Sequence, residues 1–117
     1  MRPARLLHRT ASTSNALATE YFLVKRAHGH AWDATRPRRQ QAGWDEHAAF
    51  MDDLVDQGLI VLGGPVGDGD GDYALLVVEA ESEADVRSRL AADPWGEDVL
   101  ATESIERWSV FLRRSPG

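Results

Sequence analysis

His47 is the first residue of this sequence to which chemistry can be assigned. Imidazole is the side chain whose charge changes most readily near neutral pH, which suits it to act as a general base or acid. Its spacing matters as much as its type. It follows Trp44 by three residues and precedes Met51 by four, so a helix through this stretch carries it on the apolar side. A partly buried histidine bonded to a backbone carbonyl would fit the same position, and the residues alone leave both readings open. Asp93, in Asp93-Pro94-Trp95-Gly96, is the second candidate. Asp before Pro suits a helix N-cap. A carboxylate that reached an imidazole would instead fix its tautomer and leave the other ring nitrogen to move a proton.

Other residues could shape a pocket around such a pair. Trp32, Trp44 and Trp95 flank the two candidates in sequence and could supply apolar walls. The Gly64-Pro65 turn could form the floor. Arg36, with Arg38 and Arg39, could meet an anionic substrate. The competing reading of residues 28–43 is a solvated loop with structural aromatics.

Two apparent metal motifs are weaker. Asp68, Asp70, Asp72 and Glu79 imitate the ligand spacing of an EF-hand. However, the sixth loop position is Tyr73 where that loop needs glycine, and Tyr73-Ala-Leu-Leu-Val-Val leading to Glu79 is strand material. The segment reads as a hairpin connection. His28 and His30, with His47 as a third ligand, would point to opposite faces if both lay on a strand. No metal and no cofactor is expected. The chain carries no phosphate loop, no GxSxG and no dinucleotide fingerprint; GDGDGD leads into a strand where that fingerprint needs a helix.

The elements that must position these residues follow from periodicity. Tyr21–Ala27 is a strand rich in aromatic and β-branched residues. The polar stretch 28–43 is a long loop. In Trp44–Gly58, Trp44, Ala48, Met51, Leu54 and Val55 form one helical face, acids occupy the first turn, and Gly58 ends it. Leu59–Leu62 and Tyr73–Ala80 are strands. Ser82–Asp85 opens a second helix with Val86 and Leu90 inward, and Asp93-Pro94 closes it. A last strand alternates over Ser104–Arg113, with Trp108, Val110 and Leu112 on one side. The order is β-α-β-β-α-β. It predicts an α+β, ferredoxin-like fold, in which a four-stranded antiparallel sheet carries both helices on one face. The first helix and the end of the second then lie side by side, which could bring His47 and Asp93 together. The uncovered sheet face would exceed what a monomer normally exposes, so a homodimer is expected.

His47, Gly58, Gly63-Gly64-Pro65 and Asp93-Pro94-Trp95, in this order and spacing, resemble the YciI-like (YCII-related) family over about residues 20–113. That resemblance implies a dimeric α/β barrel of ferredoxin-like subunits. It also implies a cleft with a His–Asp pair proposed as catalytic, matching His47 and Asp93. The resemblance further points to chemistry like that of one member, similar to a dehydrochlorinase acting on a chlorinated hydroxyhydroquinone, on a fold shared with muconolactone isomerases and small monooxygenases. The sequence departs from the pattern in the Trp- and Arg-bearing segment before the first helix and in its N-terminal tail.

Composition sets the outer bounds. At 117 residues the chain holds one domain, expected over residues 20–114, behind an Arg-containing, acid-free tail expected to be disordered over 1–19. A net charge of −6 argues against a nucleic-acid partner. No apolar run approaches a membrane span. The absence of cysteine excludes disulfides and thiolate chemistry and agrees with a cytoplasmic location. The expectation is a cofactor-free enzyme in which a His–Asp dyad moves protons on a small aromatic or enol-forming molecule, as an isomerase, lyase or dehydrochlorinase does. A non-catalytic dimer of the same fold, binding a small molecule or a protein, is the alternative.

Overall fold

The computed structural model describes residues 19–69 and 71–115. The tail before Thr19 therefore lies outside the described residues, as does Asp70 of the acidic segment.

Strand β1 (Glu20–His28) leads through a long connection with a short 3-10 turn (Arg38–Gln40) into α1 (Trp44–Asp56). Strands β2 (Ile60–Val66) and β3 (Tyr73–Ala80) form a hairpin, followed by α2 (Glu83–Leu90), a short α3 (Gly96–Val99) and β4 (Leu100–Trp108). The strand order is β2-β3-β1-β4, every pair antiparallel. This is the expected ferredoxin-like α+β arrangement. Among the described residues, no helix is long and apolar enough to cross a membrane.

Period-two alternation decides which side chains meet the helices. Phe22 and Val24 of β1 and Leu76, Val78 and Ala80 of β3 are buried with Leu54 of α1 and Val86 and Leu90 of α2. Helix α2 has eight residues, fewer than the roughly 12–15 at which an isolated helix becomes even marginal in water. Burial of Val86 and Leu90 holds it, at about 1.5–3 kcal/mol for each fully buried side chain. Ser82 caps it by accepting a hydrogen bond from the Asp85 N–H at 3.1 Å.

Two local expectations are corrected. The buried side chains of α1 are His47 and Leu54, with Phe50 and Met51 packed on the core, while Val55 is half exposed. The buried stripe is thus rotated toward the histidine. The last strand begins at Leu100 and ends at Trp108, and the piece expected to be irregular holds α3 and the first residues of β4. Trp108 pairs with Tyr21, one residue from the start of β1. Val110 and Leu112 therefore run past the end of their partner strand, and Leu112 is 92% exposed. Glu79, the twelfth position of the EF-hand imitation, lies within β3 opposite Tyr21. Among the described residues no three metal-ligating side chains gather. His28 stacks on Trp32, and His30 bonds Asp98, so neither joins His47.

Candidate active site

The site begins on β1. Its inward positions are Phe22, Val24 and Arg26, so the alternation that builds the core delivers an arginine into it. Arg26 is 1% exposed. At this point the pairing of β1 with β4 shifts register, from Lys25 opposite Ser104 to Arg26 opposite Thr102. Such a bulge re-aims the neighbouring side chains.

A buried guanidinium must be paired and hydrogen-bonded to be tolerated. Arg26 Nη1 donates to Asp93 Oδ2 at 2.9 Å, and Nη2 donates to the carbonyls of Leu100 at 2.9 Å and Gly96 at 3.2 Å. Asp93 in turn has its oxygens 2.9 Å from His47 Nδ1, and its Oδ1 accepts the Trp95 backbone N–H at 2.9 Å. The two readings of Asp93 are therefore compatible, because one carboxylate holds the turn into α3 and also meets the imidazole.

Burial pushes the Asp93 carboxyl upward, but hydrogen bonds from His47, the Trp95 N–H and Arg26 outweigh it and hold the group below the usual carboxylate range. An ionised Asp93 accepts hydrogen bonds and cannot donate, so Nδ1 of His47 carries the proton facing it. The ring nitrogen left for other chemistry is Nε2. The imidazole plane is fixed by Trp95, whose ring lies parallel at 3.9 Å, and Trp95 is itself held by its Nε1–H donating to the Ala42 carbonyl at 2.7 Å.

His47 forms part of the wall of a cavity of about 450 Å³ between α1 and the β2–β3 hairpin. Trp44, Gly64 and Pro65 line it, as their positions suggest. Gly63 lines it too. A Cβ there would come within 2.5 Å of Leu76 Cδ2 and 3.0 Å of the Leu75 carbonyl, so the close pairing of β2 with β3 favours glycine. Gly64 has open space at the same test.

Asp93 and Trp95 stand behind the histidine, in contact with it and outside the cavity wall. Trp32 is one layer further away, stacked on His28 and set edge-on to Trp95 at 6.0 Å. Arg36 is not brought to this cavity. It pairs with Asp33 at 3.4 Å and lines a separate hollow of about 570 Å³ inside the 29–43 connection. Arg38 takes the place at the cavity that Arg36 was expected to hold. Arg26 escaped the reading of the sequence, though a signal existed: it occupies the third inward position of a strand whose first two are Phe22 and Val24.

Residues 19–109 match the YCII-related domain. A solved structure, the 5-chloro-2-hydroxyhydroquinone dehydrochlorinase TftG from Burkholderia phenoliruptrix AC1100 in complex with 2,5-dihydroxybenzoquinone, is similar with a TM-score of 0.52 and 31% identity. The similarity covers 76% of this chain and 93% of that one. No curated protein sequence matches. A neighbour with this fold is thus an enzyme that holds a small quinone. The chain belongs to the YCII-related domain family.

Proposed function

We propose that this protein is a cofactor-free enzyme of the cytoplasm that moves a proton on a small aromatic or enol-forming molecule, with His47 as acid and base and Asp93 as its orienting partner. One observation carries the reading: a buried chain of ionic hydrogen bonds runs Arg26–Asp93–His47 and ends at a cavity wall. Hydrogen bonds from His47, the Trp95 N–H and Arg26 keep Asp93 ionised, Asp93 holds the proton on Nδ1, and Nε2 is left to take a proton from an enol or phenol hydroxyl. Returning that proton to a ring carbon converts enol to ketone, an isomerisation. Where the carbon that takes the proton bears chlorine, a second ring hydroxyl gives up its proton and becomes a carbonyl, the ring double bond shifts and chloride leaves with the C–Cl electron pair; the products are a quinone and HCl, a dehydrochlorination, the reaction named for the similar dehydrochlorinase.

The test uses 2,5-dihydroxybenzoquinone in deuterium oxide, with ring C–H exchange followed by proton NMR. Exchange above the buffer rate that disappears in His47→Gln, while the variant stays folded, is expected. Exchange equally fast in His47→Gln would overturn the role. Binding with no exchange would leave a ligand-binding domain.

The working unit is a homodimer. On the sheet face away from the helices, Leu23, Leu75 and Val77 are only half buried, and Trp108 is 42% exposed. A second copy packed there would cover them. Sedimentation should give twice the chain mass, and Leu75→Glu should yield monomers; a monomeric wild type at micromolar concentration would refute the pairing.

A further inference from the structure

Two buried side chains that can carry positive charge share one carboxylate oxygen. Asp93 Oδ2 accepts from Arg26 Nη1 at 2.9 Å and lies 2.9 Å from His47 Nδ1. The side chains of Arg26 and Asp93 are 1% and 0% exposed, and that of His47 is 7% exposed. Water screens little at such depth, so the three charges act on one another directly. With a neutral imidazole they sum to zero. A proton added at Nε2 would leave one positive charge in excess, where burial and the guanidinium both oppose it. Without Arg26 the balance would reverse. A neutral imidazole would then leave the buried carboxylate unpaired, and an imidazolium would neutralise it.

Other charges approach His47 less directly. Among the described residues, the cavity wall adds Asp52, exposed at the rim, and Arg38 from the 3-10 turn. Strands β2, β3 and β4 add only apolar side chains, glycine and proline to it. Asp45 and Glu46 are exposed in the first turn of α1, and Arg39 is turned to Trp44 at 5.8 Å. Asp93 is the charged group in hydrogen-bond contact with the ring. We propose that Arg26 is a positioning residue for the proton transfer: by sharing Asp93 it lets the carboxylate orient the imidazole without holding it charged, and so keeps His47 a base. This rests on the proton-transfer reading above and adds the group that sets the resting form of the base.

Bracing alone is a poor account of Arg26. Buried ion pairs can often be replaced by apolar side chains with no loss of stability. Among the described residues, Arg26 Nε is buried with no hydrogen-bond partner, which a brace would not need. The region also has other fastenings. The N–H groups of Gly29 and Ala31 donate to the carbonyls of Val99 and Asp98 at the end of α3, each at 2.8 Å. Gln41 closes the middle of the same connection, its Nε2 donating to the carbonyls of Asp33 at 2.7 Å and Arg36 at 2.9 Å.

The test is an NMR titration of the His47 ring without substrate, its signal assigned by its loss in His47→Gln. Arg26→Gln still donates hydrogen bonds but carries no charge, and its His47 should titrate higher than in wild type by about one pH unit or more. Arg26→Lys keeps the charge and loses the fork, and should stay within about half a unit of wild type. Ring C–H exchange of 2,5-dihydroxybenzoquinone by Arg26→Gln should fall at neutral pH and recover as pH rises through the new titration. Three results would overturn the proposal: an unmoved titration in Arg26→Gln, an equal upward move in Arg26→Lys, and exchange by Arg26→Gln that stays low at every pH. The last would reduce Arg26 to a support of the fold. Should Arg26→Gln not fold, the comparison is made in Asp93→Asn, where no lone carboxylate remains. Adding Arg26→Gln there should again raise the titration by about one unit, and no change would overturn the proposal. The titration is read without turnover, so it can fail while exchange by His47 stands. Absence of exchange in wild type would instead sink the proton-transfer reading and leave the titration shift in place.

Discussion

The indole of Trp95 and the imidazole of His47 lie face to face, 3.9 Å between centroids and 10° from parallel. Together with the Asp93 contact at Nδ1, the stack leaves the imidazole little freedom to turn. For the proposed proton transfer, a ring kept in one orientation needs no reorganisation before it reacts. Trp95→Leu should therefore lower turnover by about tenfold to a hundredfold, whereas Trp95→Phe, which keeps an aromatic face, should stay within about threefold of wild type. Steady-state kinetics on both variants checks this; equal losses would show that the stack contributes only packing.

The ion pair between Arg26 and Asp93 predicts a stability effect. Removing one partner leaves a buried charge uncompensated, so Arg26→Met should cost about 3–5 kcal/mol in urea unfolding. The double variant Arg26→Met/Asp93→Asn should cost less than the sum of the two single changes, because neither charge then remains alone. Additive losses would mean that the two groups do not act as a pair.

Acid should act through Asp93. Its folded carboxyl titrates below the unfolded value of about 3.9. The unfolded chain therefore binds the proton first on acidification. The contribution is present in full above the unfolded value and is lost as pH falls through the folded one. The difference in unfolding free energy between wild type and Asp93→Asn should shrink as pH falls below about 4. A difference that does not change with acidification would remove Asp93 as its source.

Gly63 and Gly64 are adjacent, but they should respond differently. Gly63→Ala drives a methyl group against Leu76 and the Leu75 carbonyl and should destabilise by about 1–3 kcal/mol. Gly64→Ala meets open space and should stay within about 0.5 kcal/mol. Thermal melts of the two variants decide it; equal melting temperatures would contradict the close strand passage.

Much of this was legible in the order of the residues. The helical spacing of Trp44, His47 and Met51 announced an inward histidine, and it is 5% exposed. Alternation in β1 and β3 announced the core strands. What was not legible has physical reasons. Arg26 reads as a strand-end charge until its partners, distant in sequence, are known to converge on it. The boundary of β4 depends on where β1 stops, which no local pattern in β4 encodes. Of three neighbouring arginines, the one that reaches the cavity is chosen by the hydrogen bonds of Gln41, a residue with no periodic signature.

The fastening of residues 29–43 to the backbone of α3 and to Gln41 has an evolutionary corollary. The groups proposed to react sit on β1, α1 and the turn into α3, and the 29–43 connection is pinned beside them as one piece, so substitutions inside it need not move them.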